Sequence, residues 1–219
     1  MALPETEKTR SVPLSKPRKF HWEQVYANKA PTEVSWYQPV PEDSLGLIES
    51  TGVGHSDSII DAGGGASTLV DGLVNAGYTD ITVLDISSAA LERSRQRLGA
   101  NAAQVTWIES DVTEFEAERQ FALWHDRAVF HFLTDEDDRR LYRDVVISAL
   151  QPNGHLVMAT FGPEGPLKCS GLDICRYDAA QLQREIGPRF TLRSHTIEEH
   201  QTPGGSSQQF LFAWFQFAN

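Results

Sequence analysis

The segment Ile59–Ser67, Ile-Ile-Asp-Ala-Gly-Gly-Gly-Ala-Ser, constrains the fold of this 219-residue chain more than any other segment. A short apolar run precedes three consecutive glycines, and a helical pattern then extends from Ser67 to a closing Gly77. Glycines at a strand-to-helix turn let the backbone approach a ligand closely, and the amide groups at the helix start favour polar or anionic groups. The segment therefore predicts a strand, a ligand-binding turn and a helix, although a tight turn without a ligand would show the same pattern.

Predicted strands and helices alternate along most of the chain. Apolar runs predict strands over residues 58–62, 80–85, 104–108, 121–125 and 155–160, and helical spacing predicts helices over 41–51, 67–76, 87–98, 134–150 and 178–186. This alternation is typical of a parallel sheet with helices on both faces. Residues 190–195 and 210–217 are predicted as two strands with no helix between them, so we expect an antiparallel hairpin at the edge of the sheet.

Length and composition indicate a single α/β domain over residues 19–219, preceded by a polar and basic N-terminal arm over residues 1–18 that we expect to be flexible. The net charge of -11 argues against binding to nucleic acid or to an anionic membrane surface. The chain shows neither a signal peptide nor a stretch long and apolar enough to span a bilayer, so a cytoplasmic location is expected. The histidines and cysteines lack metal-ligand spacing, so no metal is expected.

Three aspartates follow three different predicted strands. Asp61 lies in the first strand, Asp85 ends the second strand about 20 residues later, and Asp111 follows the third strand. The carboxyl ends of parallel strands converge on one crevice, at the point where the strand order reverses. An acid in the position of Asp85 can accept hydrogen bonds from a ribose diol, and Asp111 could meet an adenine amino group. The three carboxylates are therefore predicted to surround one binding site.

These residues resemble the class I family of S-adenosylmethionine-dependent methyltransferases. The family's Asp-x-Gly-x-Gly motif corresponds to Asp61, Gly63 and Gly65, its ribose-binding acid to Asp85, and its Asp-apolar pair beside the adenine to Asp111 and Val112. The resemblance covers about residues 20–219. One departure is Ser67, where many members carry a third glycine.

The resemblance implies a Rossmann-like, doubly wound sheet of seven strands in the order 3-2-1-4-5-7-6, with strand 7 antiparallel and helices on both faces. It also implies S-adenosyl-L-methionine as the cofactor and S-adenosyl-L-homocysteine as the product. The cofactor-binding residues that it implies are Trp36, Asp61, Gly63, Gly64, Gly65, Asp85, Ile86, Asp111, Val112 and His125. A nicotinamide dehydrogenase is the rival, but its G-x-G-x-x-G fingerprint would need a glycine where this chain has Thr68.

The segment after the fourth predicted strand is the candidate site for the methyl acceptor. Its residues Trp124, Asp126 and Arg127 are similar to the Trp-Asp-Arg motif of thiopurine methyltransferases, with His125 as one extra residue. This weaker similarity suggests a small thiol or a related acceptor. We therefore expect a methyltransferase that acts on a small molecule, with a protein lysine methyltransferase and a non-catalytic cofactor-binding protein as alternatives. The oligomeric state is expected to be a monomer or a homodimer.

The candidate catalytic residues are Arg127, His125 and His131. Arg127 either holds an anionic acceptor and lowers the pKa of its thiol, or pairs with a nearby acid such as Asp126. His125 either contacts the cofactor through its backbone or acts as a base, whereas His131 is either catalytic or a packed structural residue. Trp36 and Tyr37 are predicted to cover the site, because aromatic faces attract a sulfonium cation.

The remaining candidates outside these motifs are one histidine and the two cysteines. For His200 a structural role is favoured over a catalytic one. Cys169 and Cys175 follow the fifth strand, where buried or incidental thiols are expected rather than functional ones.

Overall fold

Seven strands form the central sheet in the computed structural model, which describes residues 15–218. The strands are β1 (Ile59–Ala62), β2 (Ile81–Asp85), β3 (Val105–Glu109), β4 (Phe121–Arg127), β5 (Leu150–Phe161), β6 (Phe190–Gln201) and β7 (Ser207–Phe217). Their order is β3-β2-β1-β4-β5-β7-β6, and β7 is antiparallel to both β5 and β6. The predicted fold class, strand order and antiparallel seventh strand are therefore confirmed.

Six α-helices accompany the sheet. They are α1 (Ser15–Asn28), α2 (Glu42–Ser50), α3 (Leu69–Asn75), α4 (Ser88–Leu98), α5 (Glu136–Ala149) and α6 (Ala179–Ile186). The predicted cap of α5 at Thr134 is wrong by one residue, because the side chain of Asp135 accepts the hydrogen bond from the Asp137 amide. None of the helices in residues 15–218 has the length and apolar character needed to cross a bilayer.

Both faces of the sheet are buried under helices. On one face, Ile60, Trp124 and Leu156 pack with apolar residues of α5 and α6. On the other face, Ile59 and Leu123 pack with residues of α2, α3 and α4. Successive residues of a strand point to opposite faces, so neighbouring residues of the same central strand enter two different cores.

The edge strand β6 and its neighbour β7 are longer than the sequence predicts. Between Thr191 and Glu199 most residues of β6 are exposed and polar, so the apolar pattern ends long before the strand does. Backbone pairing with β7 nevertheless continues to Gln201, which is paired with Ser207. An edge strand with a solvated face carries little hydrophobic signal, which explains the difference.

Helix α1 begins at Ser15, so residues 15–18, the last four of the predicted flexible arm, are helical. The prediction that residues 15–18 belong to that arm is wrong, because Arg18 is held by two acids: its Nε lies 3.1 Å from Asp111 and its Nη1 lies 3.3 Å from Asp138. Glu23 fixes the same helix by accepting a hydrogen bond of 2.8 Å from the Ser88 amide at the start of α4. The rest of the predicted arm, residues 1–14, lies outside the described residues.

A buried hydrogen-bond network joins α5 to the end of β4. The Trp124 indole donates to the Tyr142 hydroxyl over 3.2 Å, and that hydroxyl donates to the Asp126 carboxylate over 2.7 Å. Asp126 also accepts a hydrogen bond from the Val129 amide. All three side chains of the network are fully buried, and burial raises the pKa of Asp126 to about 6. The network therefore fixes the turn that follows β4.

Tyr142→Phe removes the hydroxyl that bridges Trp124 and Asp126. We expect the variant to lose about 1–3 kcal/mol of unfolding free energy in urea titrations, because a buried donor and a buried carboxylate both lose their partner. The control is Tyr78→Phe, the same chemical change outside this network. Equal losses in the two variants would show that the network adds no stability.

Candidate functional site

A pocket opens at the carboxyl ends of β1, β2 and β4, where the strand order reverses between β1 and β4. Ligands of doubly wound sheets bind in this position. Helix α1 and the loop that precedes α2 cover the pocket. The lining residues predicted from the sequence are Trp36, Tyr37, Asp61, Gly63, Gly64, Asp85, Ile86, Asp111, Val112, His125 and Arg127.

The glycine loop packs directly against two buried carboxylates. Gly63 has a φ of +73°, which other residues rarely adopt, and a Cβ there would lie 2.0 Å from the Val129 side chain. A Cβ on Gly64 would lie 2.2 Å from Asp61 Oδ2, and a Cβ on Gly65 would lie 2.4 Å from Asp85 Oδ2. The loop therefore has no space for side chains on its inner side.

Asp85 is held at the end of β2 by two backbone amides. Its Oδ2 accepts a hydrogen bond of 3.0 Å from Gly65, and its Oδ1 accepts one of 2.8 Å from Ser87. Burial raises the pKa of Asp85 to about 7, although the two amides favour the ionised form. The carboxylate has further lone pairs that a diol in the pocket could donate to.

Asp111 lies on the far side of the pocket and is already surrounded by donors. Its Oδ1 accepts from the amide and the hydroxyl of Thr113, over 2.9 and 2.8 Å, and its Oδ2 faces the Arg18 guanidinium. Val112 and Ile86 supply apolar walls next to it. Arg18 is a pocket residue that the sequence did not reveal, because an arginine in a basic N-terminal stretch gives no signal for it.

Asp61 of β1 lies directly beside His125 of the neighbouring strand β4, so their side chains lie on the same face of the sheet. The Asp61 Oδ1 lies 2.7 Å from His125 Nδ1, and His125 Nε2 lies 2.9 Å from the Ser44 hydroxyl of α2. Both ring nitrogens of His125 are therefore engaged, and neither is available to a ligand as a base. No local motif marks Ser44 as a partner, because it is 81 residues away in the chain.

Arg127 ends β4 and lines the pocket without an acidic partner in hydrogen-bond contact. Its Nη1 donates to the Trp36 carbonyl over 2.9 Å, and its guanidinium lies 4.9 Å from the centre of the Phe210 ring. Its Nε and Nη2 have no hydrogen-bond partner among the described residues. Burial lowers the pKa of Arg127 to about 10, so the group remains a cation at neutral pH. The predicted alternative of a pair with Asp126 is wrong, because Asp126 bonds to Tyr142 and to backbone amides.

His131 and His200 are packed outside the lining of the pocket. The His131 ring is fully buried beside Phe161, its Nδ1 accepts from the Phe161 amide over 3.3 Å, and burial lowers its pKa to about 3. The structure therefore does not bring the predicted catalytic residue His131 to the pocket. His200 Nε2 lies 2.7 Å from the Ser35 carbonyl, which agrees with the favoured structural role.

The two cysteines are free thiols. Cys169 is buried, and burial raises the pKa of its thiol to about 11, so it is an unreactive group at neutral pH. In residues 15–218, no group of three or more histidines, cysteines, aspartates or glutamates is arranged to hold a metal ion.

Aromatic side chains form the outer wall of the pocket. The Trp22 ring of α1 makes edge-to-face contacts with Trp36, at 5.9 Å between centroids, and with Phe132, at 5.0 Å. Tyr26 and Tyr37 line the same space. Trp36 therefore lies at the outer wall, where the sequence predicts a cover. Trp22 and Phe132 also belong to this wall, and only the packing of α1 in the structure shows this.

Parts of the chain are similar to a family of methyltransferase domains and to several known proteins. Residues 59–154 match the family described as methyltransferase domain. Nodulation protein S of Rhizobium tropici is 32% identical over 80 residues, which cover 36% of this chain and 33% of that protein. The eEF1A lysine and N-terminal methyltransferase of Mus musculus is 25% identical over 120 residues, 54% of this chain and 17% of that protein. The chain therefore spans about a third or less of the length of these two relatives.

A solved structure shares the architecture over most of the chain. The N-methyltransferase NodS of Bradyrhizobium japonicum WM9, in complex with S-adenosyl-L-homocysteine, has a TM-score of 0.68 and 18% identity, with coverage of 90% of this chain and 98% of that chain. At this identity the similarity establishes the fold. It agrees with the strand order and the antiparallel seventh strand described above.

Gly64→Ala places a methyl group against the Asp61 carboxylate. We expect a loss of about 1–3 kcal/mol in thermal or urea unfolding, because the buried side chain has little room to move. The matched control is Gly46→Ala in α2, where a Cβ meets nothing within 4 Å and alanine favours the helix. If Gly64→Ala were as stable as the wild type, the close contact with Asp61 would not restrict the loop.

Proposed function

Because residues 59–154 belong to the methyltransferase domain family and the chain has the class I methyltransferase fold, we propose that it transfers a methyl group from S-adenosyl-L-methionine to a small molecule. S-adenosyl-L-homocysteine would be the second product. The observation that carries the proposal is the convergence of the glycine loop, Asp85 and Asp111 on one pocket at the switch point of the sheet. The family match supports the predicted cofactor in preference to a nicotinamide.

The residues of the pocket fit this cofactor. Asp85 would accept from the ribose hydroxyls, and Val112 and Ile86 would enclose the adenine beside Asp111. The glycine loop would face the methionine part, where the buried Asp61 Oδ2 has no partner among the described residues and could accept from an ammonium group. The cofactor supplies a methyl group activated by a sulfonium sulfur, and the chain's own task is to hold, orient and desolvate the reactants.

Arg127 determines which charge is favourable in the part of the pocket where the methyl acceptor would bind, here called the acceptor side. A cation with two unpartnered donors would repel an ammonium group and would attract a thiolate or a carboxylate close to the nucleophile. The proposal is therefore an acceptor that is anionic at or beside the reacting atom, with a thiol as the first candidate. In that reaction the thiolate sulfur forms a bond to the methyl carbon while the bond from that carbon to the sulfonium sulfur breaks.

A thiol acceptor also agrees with the positions of the two histidines that the sequence suggests as catalytic residues. His125 uses both ring nitrogens, and His131 does not line the pocket. A thiol can lose its proton to solvent near neutral pH, and Arg127 would lower the thiol pKa further, whereas an alkyl ammonium needs a base.

A protein lysine methyltransferase is the second candidate, favoured by the similarity to the eEF1A lysine and N-terminal methyltransferase. Against it stands Arg127, which would disfavour a lysine ammonium next to the reacting methyl group.

For the cellular setting we propose a cytoplasmic protein, monomeric or homodimeric, that does not bind nucleic acid. The net charge of -11 and the two free thiols support this setting.

The function is tested with methyl-labelled S-adenosyl-L-methionine and a panel of small thiols, amines, phenols and carboxylates, next to a protein fraction from cell extract. We expect label on thiols that carry an acidic group. Label on a protein band would establish the protein methyltransferase instead. A chain that binds S-adenosyl-L-homocysteine but labels nothing would be a cofactor-binding protein without this activity.

Arg127→Ala should reduce kcat/KM for the acceptor by about 100-fold, while the affinity for S-adenosyl-L-homocysteine changes little, because the guanidinium contacts the acceptor side of the pocket. Steady-state kinetics and calorimetry measure the two effects. Arg119→Ala is the control, since Arg119 forms an exposed ion pair with Asp80 and should leave the activity unchanged. Wild-type kinetics of Arg127→Ala would make this arginine purely structural.

Binding of S-adenosyl-L-homocysteine should strengthen as the pH rises from about 6 to about 8 and then level off, because Asp85 has a raised pKa and its ionised form accepts better from the ribose hydroxyls. Calorimetry across this range measures the change. Asp85→Asn should bind more weakly and lose the dependence, whereas Asp80→Asn should retain it. A flat profile of the wild type would contradict the assignment of Asp85 to the ribose.

A further inference from the structure

Asp61, His125 and Ser44 form a continuous chain of hydrogen bonds from the glycine loop to helix α2. The two links measure 2.7 Å between Asp61 Oδ1 and His125 Nδ1, and 2.9 Å between His125 Nε2 and Ser44 Oγ. Asp61 and His125 are each 2% exposed, and Ser44 is 1% exposed. Such a buried polar chain is costly unless every link is made, so its members restrict each other's positions strongly.

The chemistry of the groups sets the direction of the bond between Asp61 and His125. A carboxylate oxygen accepts, so His125 Nδ1 carries the proton that it donates to Asp61. The Ser44 hydroxyl can donate or accept, so it can bond to Nε2 whether or not that nitrogen carries a proton. Asp61 therefore sets which nitrogen is protonated, and Ser44 fixes the orientation of the ring.

The outer end of the chain points to a ligand. Asp61 is one of the residues that line the pocket. Its Oδ1 is bonded to His125, whereas its Oδ2 is buried and has no hydrogen-bond partner among the described residues. Oδ2 also lies against the inner side of Gly64, where a Cβ would come within 2.2 Å of it. A rotation of the carboxylate would therefore change both the free acceptor and the shape of the glycine loop.

We propose that Ser44 and His125 are positioning residues for the cofactor: Ser44 fixes the orientation of the His125 ring through Nε2, and His125 donates from Nδ1 to one oxygen of Asp61, which leaves Oδ2 as the free acceptor. This inference rests on the proposed function, because it concerns the cofactor that the pocket takes. It assigns His125 to the orientation of Asp61 and removes it from the role of a general base. It also means that the position of α2, and of the loop around Trp36 that precedes α2, affects the geometry of the cofactor pocket.

The tautomer is tested in the ligand-free protein by ¹⁵N NMR of the histidine rings, with the His125 signals identified from their loss in His125→Asn. We expect Nδ1 to carry a proton. A ring protonated at Nε2 alone overturns the proposal. This measurement requires neither the cofactor nor any activity.

The effect on the cofactor is tested by calorimetry with S-adenosyl-L-homocysteine. Ser44→Ala should weaken binding by about tenfold, because it leaves His125 Nε2 without its partner and frees the ring to turn away from Asp61. Ser50→Ala is the matched control, since it makes the same change at an exposed position of α2 and should leave the affinity unaltered. His125→Asn retains a donor for Asp61 and should bind better than His125→Leu, which has none.

The outcomes separate the two proposals. A wild type that binds S-adenosyl-L-homocysteine, with unaltered affinity in Ser44→Ala and equal affinities in His125→Asn and His125→Leu, overturns the positioning role alone. A wild type that does not bind it overturns the proposed function, and the positioning role with it. If circular dichroism shows that His125→Leu is unfolded, the comparison of Ser44→Ala with Ser50→Ala decides.

Discussion

The contact between the glycine loop and two buried carboxylates is the constraint on which the rest of the site depends. Gly64 and Gly65 have no room for a Cβ, because Asp61 and Asp85 occupy the space beneath them. The same close packing places the loop backbone at the switch point of the sheet, where a ligand can reach it. Helices α3 and α4 pack on one face of the strands that carry these acids, so the position of the loop is fixed by the core as well.

Buried charge gives the pocket its chemical character. Burial raises the pKa of Asp85 to about 7 and that of Asp126 to about 6, and the fold offsets the cost with backbone amides and the Tyr142 hydroxyl. Arg127 keeps its charge near Asp43 and Asp61, and no acid among residues 15–218 is in hydrogen-bond contact with it. The pocket is thus rich in carboxylates around the glycine loop and carries a cation at the end of β4; under the proposed function, the first part would hold the cofactor and the second would face the methyl acceptor.

Helix α1 completes the pocket through polar contacts rather than through an apolar face. Arg18 contacts Asp111, Glu23 accepts from the start of α4, and Arg93 donates to the Lys29 carbonyl over 2.6 Å. Trp22 is its main apolar contact with the pocket. Partly exposed ion pairs contribute little stability each, so the cover over the pocket is held less firmly than the sheet beneath it.

The sequence by itself indicated the alternating strands and helices, the terminal hairpin and the glycine loop with its acids, because apolar periodicity and turn residues are local signals. The strand order followed only from the resemblance to the class I methyltransferases. The sequence also indicated Arg127, at the end of β4, and Trp36, before α2. Only the tertiary structure decided what these side chains do. The partners of His125 lie 64 and 81 residues away in the chain, Arg127 contacts the Trp36 carbonyl 91 residues away, and His131 turns into the core. The physical reason is that the choice among hydrogen-bond partners depends on strand register and helix docking, which bring together groups that no local pattern connects.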